Sequence, residues 1–268
     1  MDIEFRAADG TPLAGTLYES PGSDVVLIAS ALGVKRRYYH AFATHLAAHG
    51  RSVITFDYRG IGGSRPQSLR GFAADMSDWG RLDLAAAIAW ATRVLRPSSL
   101  ALVGHSAGGQ LAGLAPNATS LSRIILVAAQ SGYWGHWSGV RKWGLGALWL
   151  AMPAISRAIG FFPARLAGLG SEDLPRGVAS RWAYWGRHRD YLFREHDPEQ
   201  YARLRVPLMA WSFEGDHYAP RAAVDALVAR YSGAIVTRRH LDRLGHFEVF
   251  RRGEGEPVWD EMLAWLSA

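Results

Sequence analysis

Leu100-Ala101-Leu102-Val103-Gly104-His105-Ser106-Ala107-Gly108-Gly109 reads as a buried strand that runs into a sharp turn, and Gln110-Leu111-Ala112-Gly113-Leu114 reads as the start of a packed helix. A Gly-x-Ser-x-Gly between strand and helix puts its serine at the tip of a strained turn. The glycines two before and two after it remove Cβ atoms that would collide as the two elements approach. This geometry lifts Ser106 Oγ clear of the sheet. It also aims the Ala107 N–H, at a helix N-terminus, at the place where negative charge forms on an attacked carbonyl oxygen. The pentapeptide alone fits an ordinary glycine turn equally well, and the strand before it decides. His105, next to Ser106 in a strand, points the other way and reads as a packed or hydrogen-bonded residue.

Outward from that turn, Val25–Ala29, Ser52–Phe56, Ile124–Ala129 and Leu208–Phe213 are apolar, β-branched-rich runs of strand length, so each reads as a strand buried on both faces. Ile235–Leu241 is a weaker last strand. Ile3–Arg6 and Leu13–Tyr18 flank the turn signal Asp9-Gly10-Thr11-Pro12 and read as an antiparallel hairpin at the sheet edge. Helical spacing in Tyr38–His49, stopped by Gly50, and in the alanine-rich Trp79–Leu95, halted before Pro97, fills the intervals. Strands alternating with helices give an α/β fold class: a mostly parallel central sheet with helices on both faces. Ligands then belong at the carboxyl ends of the strands.

The rhythm breaks once. From Ser131 to about Arg205 no strand is evident, yet the stretch holds six of the chain's eleven tryptophans: Trp134, Trp137, Trp143, Trp149, Trp182 and Trp185. So long a segment cannot be a structureless loop in a compact domain. It reads as a helical lid, residues 131–205, inserted into a core made of residues 1–130 and 206–268. Most of these aromatics pack the lid down. Trp134, Trp137 and Trp185 are the candidates for facing a pocket, with His217 at its rim.

The composition excludes several classes. With 49% hydrophobic and 20% charged residues the chain is globular material; its most apolar stretch, Trp143–Phe162, is broken by Pro153 and glycines and reads as amphipathic rather than membrane-spanning. The lack of cysteine rules out disulfides, thiolate zinc sites and a cysteine nucleophile. Thirty basic residues face 24 acidic ones, and all the basic residues but Lys35 and Lys142 are arginines. They are scattered singly or in short pairs, not gathered into the stripe of a nucleic-acid binder, so the expected partner is a small molecule, on which an anionic end is permitted. Met1-Asp2-Ile3-Glu4 does not begin a basic-then-apolar leader, and a cytoplasmic location is expected. Gly60, Gly62 and Gly63 imitate a nucleotide fingerprint after a strand, but their spacing is wrong and no helix follows directly, so no cofactor is expected, nor any metal.

A serine hydroxyl is a poor nucleophile unless a base takes its proton and a third group orients that base. After a strand–turn–helix serine, the acid and the histidine follow in that order, in loops after later strands. Glu214-Gly215-Asp216-His217-Tyr218-Ala219-Pro220 follows the Leu208–Phe213 strand and offers Asp216. Leu244-Gly245-His246-Phe247 follows the last strand and offers His246. Singly, Asp216 is as readily a turn-former and His246 a surface residue; together, in order and each after a strand, they complete a Ser106–His246–Asp216 triad. Glu214 is the second choice of acid, His217 or His240 of base. Beside Ala107, a second donor to an oxyanion belongs in the loop after Val25–Ala29, with Ala31 the first choice and Leu32 the second.

In these pieces the chain resembles the α/β-hydrolase superfamily over essentially its whole length. Gly104-His105-Ser106-Ala107-Gly108, Asp57-Tyr58-Arg59-Gly60-Ile61-Gly62, Gly215-Asp216 with Pro220, and Gly245-His246-Phe247 carry the resemblance. More narrowly, Gly108-Gly109-Gln110, Leu114-Ala115-Pro116-Asn117, Ala129-Gln130-Ser131-Gly132-Tyr133-Trp134 and Glu172-Asp173-Leu174-Pro175 look like those of a group of bacterial hydrolases of unassigned substrate, some of them similar to serine aminopeptidases. The departure is Ser30-Ala31, where many members carry His-Gly, and it bears on loop geometry. The resemblance implies a serine hydrolase, carboxylesterase-like, that cleaves an ester or related acyl compound. The same triad also serves an acyltransferase, or an amidase or aminopeptidase, and a member that only binds its ligand is the reading from another class.

Overall fold

The computed structural model describes the whole chain, Met1–Ala268. Eight strands form one sheet in the order β1-β2-β4-β3-β5-β6-β9-β10: β1 Asp2–Arg6, β2 Pro12–Tyr18, β3 Asp24–Ala29, β4 Ser52–Phe56, β5 Ser99–His105, β6 Arg123–Val127, β9 Pro207–Phe213 and β10 Ile235–Leu241. β1, β2 and β4 pair antiparallel, and every other pairing is parallel. The burial of each strand follows its place. β2, near the edge, alternates buried and half-buried residues, whereas β4 is buried at all five positions. β10, the far edge, has no buried residue, and Arg238 and Arg239 keep it from inviting another strand.

Helices cover both faces. His40–Ala48 sinks Phe42, Ala43 and Leu46 into the core. Residues 76–95 form one continuous helical rod with π-helical stretches at Trp79–Leu84 and Ala91–Leu95. It starts three residues before the position expected from the apolar spacing, because Asp75 and Asp78 close a capping box around its first turn. The Gly60–Gly63 loop is a structural corner: the Asp57 carboxylate accepts from the amides of Arg36 (2.6 Å) and Gly63 (2.8 Å), and Ser64 Oγ bridges Asp57 to β2.

Two local expectations need correction. The helix after Ser106 is only Ala107–Gln110, followed by a 3-10 turn at Ala112–Leu114. The hydroxyls of Tyr231 (3.1 Å) and Tyr201 (2.5 Å) take the carbonyls of Gly109 and Gln110, and Pro116 has no N–H with which to continue the helix. Between β6 and β9 two strands do occur, β7 Phe161–Phe162 and β8 Leu174–Pro175, each of two residues and paired antiparallel. The rest of that insert is mainly helical, with Gly139–Ile159 and Arg176–Gly186 packed against each other beyond the carboxyl ends of the parallel strands.

Candidate active site

β5 delivers Ser106 to the tip of the turn. Its backbone sits at φ 49°, ψ −115°, a conformation a serine adopts only when its surroundings impose it. Here they do: the Ser106 N–H donates to the Val127 carbonyl (2.9 Å). The helix also lies so close to the sheet that a Cβ on Gly108 would come within 2.2 Å of the Ala29 oxygen, and one on Gly104 within 2.5 Å of Gly109 Cα. Gly109 is thus as necessary to the turn as the two glycines of the motif. Ser106 Oγ makes no hydrogen bond within the protein and faces a cavity.

The β9 and β10 loops meet on the wall of that cavity. One oxygen of Asp216, Oδ1, accepts from the amides of Tyr218 (2.8 Å) and Ala219 (2.9 Å) and so fixes its own turn. The other, Oδ2, accepts from His246 Nδ1 at 2.8 Å. With the proton held on Nδ1, the lone pair of His246 Nε2 is left free. Both residues are buried, among the rings of His105, Tyr218 and Phe247. The second-choice residues Glu214 and His240 bond to each other (3.2 Å) at the sheet edge and do not line the cavity.

A buried chain of hydrogen bonds ties the elements of the site together. The Ala31 N–H donates to Tyr39 Oη (2.8 Å), Tyr39 Oη bonds His105 Nδ1 (2.8 Å), and His105 Nε2 bonds the His246 carbonyl (2.9 Å). Only one arrangement of protons satisfies all three. A carbonyl can only accept, so Nε2 carries its hydrogen, and neutral Nδ1 then accepts from the tyrosine. Burial, and after it the neighbouring His246, holds the His105 pKa well below the usual 6.5, and burial pushes Tyr39 well above 10, so both stay neutral. Ala31 and Leu32, the two choices for the second oxyanion donor, both line the cavity, but the Ala31 N–H is already taken up by Tyr39 Oη. The N–H groups of Leu32 and Ala107 are taken up by no acceptor of the protein, and Leu32 lines the cavity.

The cavity has a volume of about 350 Å³ and is chiefly apolar. Leu145, Leu148 and Trp149 come from the helix Gly139–Ile159, with Leu169 and Trp182 from further along the insert and Phe247 from the histidine loop. Trp137 and His217 line it as well, and Trp137 Nε1 donates to the His217 carbonyl (2.9 Å), closing the insert onto the acid loop. Trp134 and Trp185 do not line it. Trp185 is fully buried, with Nε1 donating to Glu195 (2.6 Å), and Trp134 packs against Trp143 and Gly146. The sequence reading missed Trp149, Trp182, Gln130 and Arg141 as lining residues. A signal for two of them was present in Arg141, Leu145, Leu148 and Trp149, whose i, i+4, i+7, i+8 spacing marks one face of a helix. Gln130 belongs to a second buried network, accepting from Gln110 (3.1 Å) and donating to the Tyr218 carbonyl (3.1 Å), while Tyr191 reaches Gln110 from the insert (2.8 Å).

A family model described as the alpha/beta hydrolase family matches residues 25–255. No curated protein matches the sequence. Among solved structures, an esterase from Exiguobacterium antarcticum is similar with a TM-score of 0.70 and 19% identity over 100% of both chains. A malate-bound thermophilic esterase from Thermogutta terrifontis has a TM-score of 0.67 and 16% identity, over 100% of this chain and 98% of that one. Mouse alpha/beta hydrolase domain-containing protein 10 has a TM-score of 0.66 and 14% identity, again over 100% and 98%. At such identities the likeness is one of fold.

Proposed function

Because the chain belongs to the α/β-hydrolase family, we propose that it is a serine hydrolase that cleaves a carboxylic ester through an acyl-enzyme on Ser106. The observation that carries this reading is the 2.8 Å bond from His246 Nδ1 to Asp216, on the wall of the cavity that Ser106 faces. Ser106 Oγ attacks the carbonyl carbon as its proton passes to His246 Nε2, and the carbonyl π pair moves onto oxygen. The Ala107 and Leu32 amides hold that oxyanion. Both are unpaired in the resting protein and need no reorganisation to receive it. Collapse expels the alcohol, which takes the proton from Nε2. Water, deprotonated by the same nitrogen, then releases the acid. Asp216 keeps the imidazole in the tautomer with Nδ1–H and steadies the imidazolium. Residues 131–205 act as a lid, and the chamber of Leu145, Leu148, Trp149, Leu169 and Trp182 takes the apolar acyl group.

The test is hydrolysis of nitrophenyl esters of increasing acyl length by wild type and Ser106→Ala, with labelling by a fluorophosphonate. Turnover that vanishes in the variant, with an optimum in chain length, is expected. Inactivity on every ester together with an unlabelled Ser106 overturns the reading.

A further inference from the structure

Five of the ten large apolar side chains that the protein leaves exposed lie between residues 140 and 166: Val140, Trp143, Leu150, Ile155 and Leu166. Trp143 and Leu150 are each 67% exposed and Leu166 91%. At about 100° per residue, Val140, Trp143, Ala147, Leu150, Ala151 and Ala154 form one stripe along the helix Gly139–Ile159. All six are exposed, while Trp149 and Met152 on the opposite side are buried. A helix apolar on both sides is normally buried on both, and here one side has no partner within the chain. No helix of the protein is long and apolar enough to cross a membrane, so the stripe is not half of a span.

Charge identifies the occupant. Between Asp83 and Glu172 the sequence has no acidic residue. On the helical wheel Arg157 edges the stripe on one side with Lys142 further round that flank, and Arg141, which lines the cavity, lies as far beyond it on the other. None of the three has an ion-pair partner, in contrast to Arg165, which Asp173 holds at 3.2 Å. Lys142 lies over the rings of Trp134 (5.3 Å) and Trp143 (5.7 Å), so the charge and the exposed indole form a single patch. A second copy docking by this same face would set its unpaired cations against their own copies, and the stretch between Asp83 and Glu172 has no acid to relieve them. An apolar stripe edged by unpaired cations fits a surface of acyl chains beneath negatively charged headgroups.

We propose that this face docks onto an anionic lipid surface, the helix Gly139–Ile159 lying in the plane of the interface. Trp143 and Leu150 enter the acyl region, and Lys142 and Arg157 meet the headgroup phosphates. Arg141 and Gly144 line the cavity and are exposed, so docking sets the cavity mouth at the interface. Joined to the hydrolase reading, on which this last step alone rests, the substrate class becomes acyl esters dissolved in a lipid phase.

The test is co-sedimentation of the full chain with vesicles of phosphatidylcholine alone and with one quarter phosphatidylglycerol, at low and high salt. Wild type is expected to bind the anionic vesicles at least about tenfold more tightly than the neutral ones and to lose that preference in salt. Trp143→Ser with Leu150→Ser, and separately Lys142→Glu with Arg157→Glu, should each lower binding by about tenfold or more while leaving hydrolysis of a short soluble ester unchanged. None of these residues lines the cavity, and the charge pair, being on the surface, tests the docking even if the apolar pair folds poorly. Equal binding to both vesicles, or to neither, overturns the docking. So does a wild-type dimer in sedimentation equilibrium that dissociates in the apolar variant, because a second copy would then cover the face. The binding readout stands apart from catalysis, so vesicle binding by a protein inactive on all esters would sink the hydrolase reading and leave the docking intact.

Discussion

Tyr39→Phe removes one oxygen and keeps the ring, whose edge-to-face packing on Phe250 (centroids 4.9 Å apart) needs no hydroxyl. The hydroxyl accepts from Ala31 and donates to His105, and the residue is fully buried, so no water replaces it. The variant therefore strands one backbone donor and one imidazole acceptor, each at a cost of about 1–3 kcal/mol. Part of that is relieved by relaxation of the loop, which leaves about 3 kcal/mol of lost stability. For a chain of this size the midpoint of thermal unfolding should fall by about 6–12 °C. The freed Ala31 amide unpins the loop that carries the Leu32 N–H, and His105 no longer holds the His246 carbonyl through a ring fixed at both ends. Acylation should slow by about one to two orders of magnitude with KM nearly unchanged, since the hydroxyl does not face the cavity. Thermal unfolding and pre-steady-state release of nitrophenol measure the two effects separately. A variant with wild-type melting and a wild-type acylation rate would show that the chain of hydrogen bonds positions nothing.

Three further outcomes follow from the same geometry. Asp216→Asn retains the shape but can present its amide to His246 and favour the wrong tautomer; kcat should drop by about four orders of magnitude with the fold intact by circular dichroism. Gly108→Ala forces a methyl group within 2.2 Å of the Ala29 carbonyl, and urea unfolding should show a loss above about 3 kcal/mol, or no folded protein. His105 is held neutral by burial and then by His246, whereas in the unfolded chain it protonates near pH 6.5. Below that pH the unfolded state binds a proton that the folded state refuses. Its contribution to stability is therefore complete above about pH 6.5 and declines as the pH falls. His105→Gln should flatten the fall of stability between pH 6.5 and 5 by about one proton, roughly 1.4 kcal/mol per pH unit, in urea melts taken across that range.

How much of this was legible in the sequence depends on how far each feature reaches. β3, β4 and β9 could be read because burial on both faces leaves only apolar side chains to choose from. The hairpin of β1 and β2 could be read because its turn needs Gly10 in a conformation few other residues adopt. The order of Ser106, Asp216 and His246 is likewise a matter of loops after strands. What could not be read depends on partners distant in the chain. The short helix after Ser106 ends where Tyr201 and Tyr231 arrive from nearly a hundred residues away or more. The choice between Ala31 and Leu32 rests on a single hydroxyl eight residues on, in a segment whose spacing speaks only of a helix. In the insert the tryptophans announce packing, but which of them faces inward depends on the rotation of each helix. Trp182 lines the cavity, while Trp185, one turn later, spends its N–H on Glu195.

Tyr218 is held at three points. Its amide fixes Asp216, its carbonyl accepts from Gln130 on the cavity floor, and its hydroxyl donates to the Gly168 carbonyl in the insert (3.0 Å). The insert and the carboxylate behind the histidine are therefore gripped by the same residue. Any displacement of Gly168 is transmitted through Tyr218 to the turn that aims the acid. The insert and the acid-bearing turn are thus geared together, so that neither can shift without straining the other.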